Sequence, residues 1–283
     1  MFRHLVFAIV LALALLGAAF GFLSFVDQPG ASAAPNEFRV CNTSAGYSAT
    51  IQSAIDAAQP GDIIKVAHGV YTETKPTPGF TYNLLITKTV HLFGGYTCNN
   101  WTTRNYTANV TTIRPADPTF AVVTIQGSFA NTAAVTPTLD GFTITGARSD
   151  NHGGGLRMND SNALIRNNVI TGNVAYLLGG GVWVQRGAPR FENNRIENNR
   201  VTPSGTAYGG GVELEGTQAI LVGNIIAGNV NSSARGYGGG VAVDGGGPII
   251  LSGNIISANA AANQTGAATE RGYGGGVSVF SAP

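Results

Sequence analysis

The stretch Gly179-Gly180-Gly181-Val182-Trp183-Val184-Gln185-Arg186-Gly187-Ala188-Pro189-Arg190-Phe191-Glu192-Asn193-Asn194-Arg195-Ile196-Glu197-Asn198-Asn199 decides the fold. After the glycines, Val182 and Val184 alternate with Trp183 and Gln185, the period of a strand with one buried face. A turn at Gly187-Ala188-Pro189 leads to a second strand with one large apolar residue, Phe191, and Ile196 supplies a third inward position beyond Asn194.

The same unit recurs. Gly-Gly-Gly followed by Leu or Val begins at Gly153, Gly179, Gly209, Gly238 and Gly274. After the first four come Asn168, Asn194, Asn224 and Asn254, then Ile170, Ile196, Ile226 and Ile256, then a closing Asn173, Asn199, Asn229 or Asn259. First Gly to closing Asn is 20, 20, 20 and 21 residues, whereas the connection onward holds 5, 9, 8 and 14. One constant wall and one variable edge are the mark of a solenoid. Three short strands per unit cannot close a small barrel in constant register, so equivalent strands must stack in parallel, one coil per interstrand spacing of roughly 4.8 Å. The stacked Asn residues are expected to take left-handed turn geometry and to bond one another in a ladder.

Upstream, Ile51, Ala54, Ile55 and Ala58 fall on one face of a short helix that Pro60-Gly61 ends. Asp62 to Val66, Val70-Tyr71, Leu84 to Thr87 and Val90 to Phe93 read as strands. The expected fold is all-β: a single-stranded parallel β-helix with a short N-terminal capping helix. Its divisions are 1–33 as an address segment, 34–80 as cap and first coil, and 81–283 as coils. Because the chain stops nine residues after Gly274, in mid-coil, a truncated product is expected.

Residues Thr50 to Glu73, with Ile51-Gln52-Ser53-Ala54-Ile55, Pro60-Gly61-Asp62 and Gly69-Val70-Tyr71, resemble the opening cap and first coil of right-handed parallel β-helix proteins of the pectin-lyase-like superfamily. The Gly-Gly-Gly-Val and Phe191-Glu192-Asn193-Asn194 pairing, from about Gly153 onward, resembles the repeat of the polymorphic outer-membrane-protein adhesins. Here the third residue is Gly where that repeat usually has Ala, and Phe is replaced in three of four units. The resemblance implies a right-handed coil; it assigns no task, because the scaffold hosts many.

Composition narrows the partners. With 16 basic and 15 acidic residues among 283 the net charge is +1, and charged residues are 11% against roughly 25% in an average domain. No basic surplus exists for nucleic acid. A 43% hydrophobic content argues against disorder. Forty Gly and 24 Asn without a Gly-X-Y period exclude collagen.

After Arg3 and His4, Leu5 to Val26 is uncharged and is followed by Ala31-Ser32-Ala33. This reads as an export signal, cleaved or retained as an anchor, the 22-residue run being long enough to span a bilayer. The expected location is secreted or cell surface, with membrane contact only through this segment. Cys41 and Cys98, the only cysteines, are either a disulfide in an oxidising compartment or two separate thiols. His68, His91 and His152 show no mutual spacing that makes a site, so turn or surface roles are expected for them.

Outward positions of the first strand form two columns: Arg157, Trp183, Glu213, Ala242, Ser278, and Asn159, Gln185, Glu215, Asp244, Phe280. Glu213, Glu215 and Asp244 have three readings. They are solvent-facing residues that keep the wall soluble; or they are candidate catalytic carboxylates, with Glu215 and Asp244, one coil apart, about 5 Å from each other as in a retaining glycosidase; or Glu215 and Asp244 share a calcium ion with Glu213. No other cofactor is expected. Arg157 and Trp183 are suited to stacking on and orienting a sugar acid. Tyr208, Tyr237 and Tyr273, each just before a Gly triplet, are either a sugar platform or the closure of the coil's corner. The reading that follows is an exported, non-catalytic β-helix that contacts an extracellular polysaccharide or cell-surface component, with a polysaccharide lyase or glycoside hydrolase as the alternative.

Overall fold

The computed structural model describes residues 34–43, 46–127, 134–202, 205–261 and 271–280. The chain divides into Met1–Ala34 and Pro35–Pro283, and every described element belongs to the second unit. The export-signal reading of 1–33 lies outside the described residues.

The chain coils into a parallel β-solenoid of about seven turns, with three long sheets. Sheet I has seven strands: Leu84–Ile86, Val123–Gln126, Leu156–Asn159, Val182–Gln185, Val212–Thr217, Val241–Gly246 and Val277–Phe280. Sheet II has eight, from Glu37–Val40 to Ile250–Ser252, and sheet III seven, from Gly69–Glu73 to Ile255–Ser257. Neighbouring coils stay in register, Val182 on Val212 and Phe191 on Leu221, so the apolar positions form continuous inner columns. Val184, Phe191 and Ile196 are fully buried in one core with their counterparts above and below.

Two Asn ladders run through the corners. Beyond the first rung each ladder Asn accepts at its side-chain oxygen from the backbone and side-chain nitrogens of the Asn one coil back, as Asn199 does from Asn173 at 3.1 and 3.2 Å, while the first rungs, Asn168 and Asn173, accept from Phe142 N and Ala147 N. The left-handed geometry expected of these residues belongs instead to the position before each, namely Asn167, Asn193, Gly223 and Gly253 in one ladder and Gly172, Asn198, Gly228 and Ala258 in the other. The preceding residue turns the corner, so the ladder side chain points inward where its amide finds partners. The third Gly of the first four triplets faces the second ladder: a Cβ on Gly181 would lie 2.8 Å from the Asn199 Nδ2, which accounts for Gly at that place.

The variable edge is more ordered than the repeat suggests. Just after each closing Asn, two-residue strands such as Val174–Ala175 and Arg200–Val201 form a fourth, five-stranded sheet. Just before the triplets, Thr206–Tyr208, Arg235–Tyr237 and Arg271–Tyr273 form a fifth of three strands. Segments of two or three residues are too short to show a period of two.

Helix α1 spans Ile51–Ala57, with the Thr50 side chain accepting from Ser53 N at its start. Its Ile51, Ala54 and Ile55 are buried in the common core. The Gln52 amide both donates to the Leu85 carbonyl at 3.1 Å and accepts from Leu85 N at 2.8 Å. It thereby supplies partners to the outermost strand of sheet I, which needs them where its ladder stops. The buried Glu73 carboxylate accepts from Ile51 N and Gln52 N at 2.8 and 3.1 Å; burial raises its pKa and these two bonds oppose the rise. Cys41 and Cys98 are joined, their Cα atoms 5.7 Å apart, within a small cluster of Ala67, Tyr96 and Trp101 outside the main core.

Candidate ligand face on the outside of sheet I

Parallel register builds the face residue by residue. One column reads Leu85, Thr124, Arg157, Trp183, Glu213, Ala242, Ser278, and the other Gln126, Asn159, Gln185, Glu215, Asp244, Phe280. Beside them stands the loop edge of each coil: a hairpin, Lys75–Thr77 with Phe80–Tyr82, then Phe120, His152, Leu178, Tyr208, Tyr237 and Tyr273.

The face is less open than its outward period implies. Trp183 is 2% exposed, Glu213 1% and Ala242 fully buried. Glu213 was expected to face solvent. It lies instead between Trp183 and Ala242 in its column, close to the Tyr208 phenol, whose pKa is raised first by burial and then by neighbours that include Asp244 and Glu213. Burial pushes the Glu213 carboxyl well above the usual range, with Asp244 and Glu215 adding to the rise, and its Oε2 has no hydrogen-bond partner.

Glu215 accepts from Trp183 Nε1 and from Gln185 Nε2, both at 3.1 Å. Among the described residues no three Asp, Glu, His or Cys side chains form a group that could hold a metal. One of the three acids is desolvated and held toward its neutral form, and another is engaged by the indole and the amide.

The tyrosines stack on one another. Ring centroids are 5.1 Å apart for Tyr208–Tyr237 and 4.6 Å for Tyr237–Tyr273, at interplanar angles of 22° and 9°. Phe280 leans back onto Tyr208 and Tyr237 at 4.7 and 5.1 Å. Faces occupied by neighbouring rings leave little flat surface for a sugar, so the geometry favours the corner-closing role over the platform.

The opposite end of the face is built differently. Arg157 holds its Cζ 5.3 Å from the Trp183 ring centroid, and His152 meets the same indole edge-on at 4.6 Å. Burial lowers the pKa of both. Arg157 Nε and His152 Nδ1 are buried and without partners. Both residues line a cavity of 170 Å³ whose walls include Phe80, Tyr82 and Phe120, and a shallower 400 Å³ depression adjoins it through Tyr82. His152 was read as a turn or surface residue. Its place in the sequence, equivalent to the tyrosines before later triplets, was the available signal, but its contact with Trp183 forms only when the coils stack. A larger 450 Å³ cavity is lined by Val243, Leu251, Val277 and Val279, which occupy core columns and carry no chemistry.

No curated protein matches the chain. Residues 117–281 match the family model described as the right-handed β-helix region, and with more than half its length matched, on a stack of parallel coils, the chain belongs to the right-handed β-helix family.

Proposed function

We propose that this is an exported, cell-surface or extracellular β-helix protein that holds an extracellular polysaccharide or cell-surface glycan on the outer face of sheet I without cleaving it. In this reading α1 is the N-terminal cap, as in the pectin-lyase-like coil it resembles, and the repeats serve attachment, as in the adhesins they resemble. One observation carries the reading. Of the four buried side-chain polar atoms without partners among the described residues, three belong to His152, Arg157 and Glu213 on this face. Buried polar groups are ordinarily satisfied, so such a concentration marks a surface arranged for something other than itself.

A second reading, a glycoside hydrolase, is favoured by the Glu213–Glu215 pair. Glu213 is buried with its pKa raised, and Glu215, two residues on in the same strand, accepts from the Trp183 indole and the Gln185 amide, so a protonated acid stands beside a hydrogen-bonded acceptor. A screen of the full chain on glycan arrays and polysaccharide solutions, with binding and cleavage scored separately, tests both. Binding without cleavage is expected. Cleavage that Glu213→Gln abolishes would replace the first reading by the second, and silence in both assays would overturn the two together.

A further inference from the structure

The cavity beside Arg157 has a charge requirement that the rest of the face lacks. Arg157 is half-buried, and among the described residues no carboxylate pairs with it; its neighbours are the Trp183 ring, His152 and Tyr82. Arg104, Arg166 and Arg186, of comparable or greater exposure to water, each have an Asp. A guanidinium withdrawn from water without a counterion is costly unless something supplies the charge. Asp150, the one carboxylate in the cavity lining, is exposed and forms no ion pair with Arg157.

The remaining walls fix the ligand's shape. Phe80, Tyr82 and Phe120 form an aromatic cluster with centroids 4.7 and 4.9 Å apart. The 170 Å³ enclosed is smaller than the roughly 300 Å³ at which pockets for drug-sized molecules begin, so it admits one ring rather than a chain. His152 Nδ1, in the tautomer that carries its proton there, is a second donor with no acceptor in the protein.

We infer that this cavity binds a single six-membered ring bearing an oxyanion, carboxylate or sulfate ester. The Arg157 guanidinium pairs with the anion in a forked contact, His152 donates beside it, and the ring lies against Phe80, Tyr82 and Phe120. The inference rests on the outer face of sheet I being the ligand surface, and it adds the charge and size of what is bound there.

Calorimetric titration of the full chain with glucuronate, glucose 6-sulfate, cyclohexanecarboxylate and glucose tests it. The two anionic sugars are expected to bind at least tenfold more tightly than glucose. Cyclohexanecarboxylate binding equally well would mean that the site takes any ring anion, and its failure would mean that the hydroxyls are read too; either outcome supports an anion pocket. Arg157→Gln should abolish the preference and Arg157→Lys should keep part of it. Equal binding of glucose and the anions by the parent protein overturns the inference, whatever the variants do. If neutral glycans bind the array while this preference is absent, the wall reading survives without the pocket; if no glycan binds at all, both fall.

Discussion

Asn199 shows how much a single residue does in this fold. Its Nδ2 donates to the Ile170 carbonyl at 2.8 Å and to Asn229 Oδ1 at 3.1 Å, and its own Oδ1 receives two bonds from Asn173. Asn199→Ala leaves these buried groups unmatched, and the expected loss is about 2–4 kcal/mol in urea denaturation; a loss under 1 kcal/mol would show that water satisfies the corner instead. Glu213 gives a pH signature. Its folded pKa is raised, so native Glu213 holds its proton more tightly than the unfolded chain does. Its contribution is most favourable below the unfolded value of 4.5 and is lost as pH rises toward the folded value. Glu213→Gln removes that loss, so the melting temperature of the variant relative to the parent should climb between pH 4.5 and pH 8. A pH-independent difference would mean that the carboxyl is solvated. The ladder was legible because Asn recurs at constant spacing. The burial of Glu213 was not, because it depends on aromatic rings contributed by other coils.

The strands have two to six residues, and none has enough internal contact to stand alone; each is held by the strands one coil above and below. Period-two alternation therefore identified sheet I, and single large residues such as Ile165 and Phe191 identified sheet II. The two-residue strands at the variable edge left no such trace. The disulfide acts at this scale. It ties the loop after Glu37–Val40 to the loop after His91–Tyr96, closing a sequence separation of 57. Cys41→Ser with Cys98→Ser should cost about 2–4 kcal/mol by the chain-entropy argument, read as a lower urea midpoint. An unchanged midpoint would show that the cluster of Tyr96 and Trp101 holds these strands without the bond.

At the scale of the whole molecule the coiled architecture was legible from the repeats, but the five Gly triplets count fewer coils than the seven strands of sheet I, because its first two strands, Leu84–Ile86 and Val123–Gln126, follow no triplet. The face was legible only as two columns of residues. The cavity joins the hairpin of one coil, Phe120 of the next and His152 of a third, and that convergence has no signature in any one repeat. The bond between Cys41 and Cys98 also has a mechanical meaning. Tension applied upstream of residue 41 passes through the sulfur atoms directly to residue 98, so the intervening backbone carries none of it. Helix α1, the hairpin wall and the outermost strand of sheet I all lie inside that shielded length. Load that enters the chain before residue 41 and leaves it after residue 98 would thus pass around the first turns and leave the hairpin unstretched.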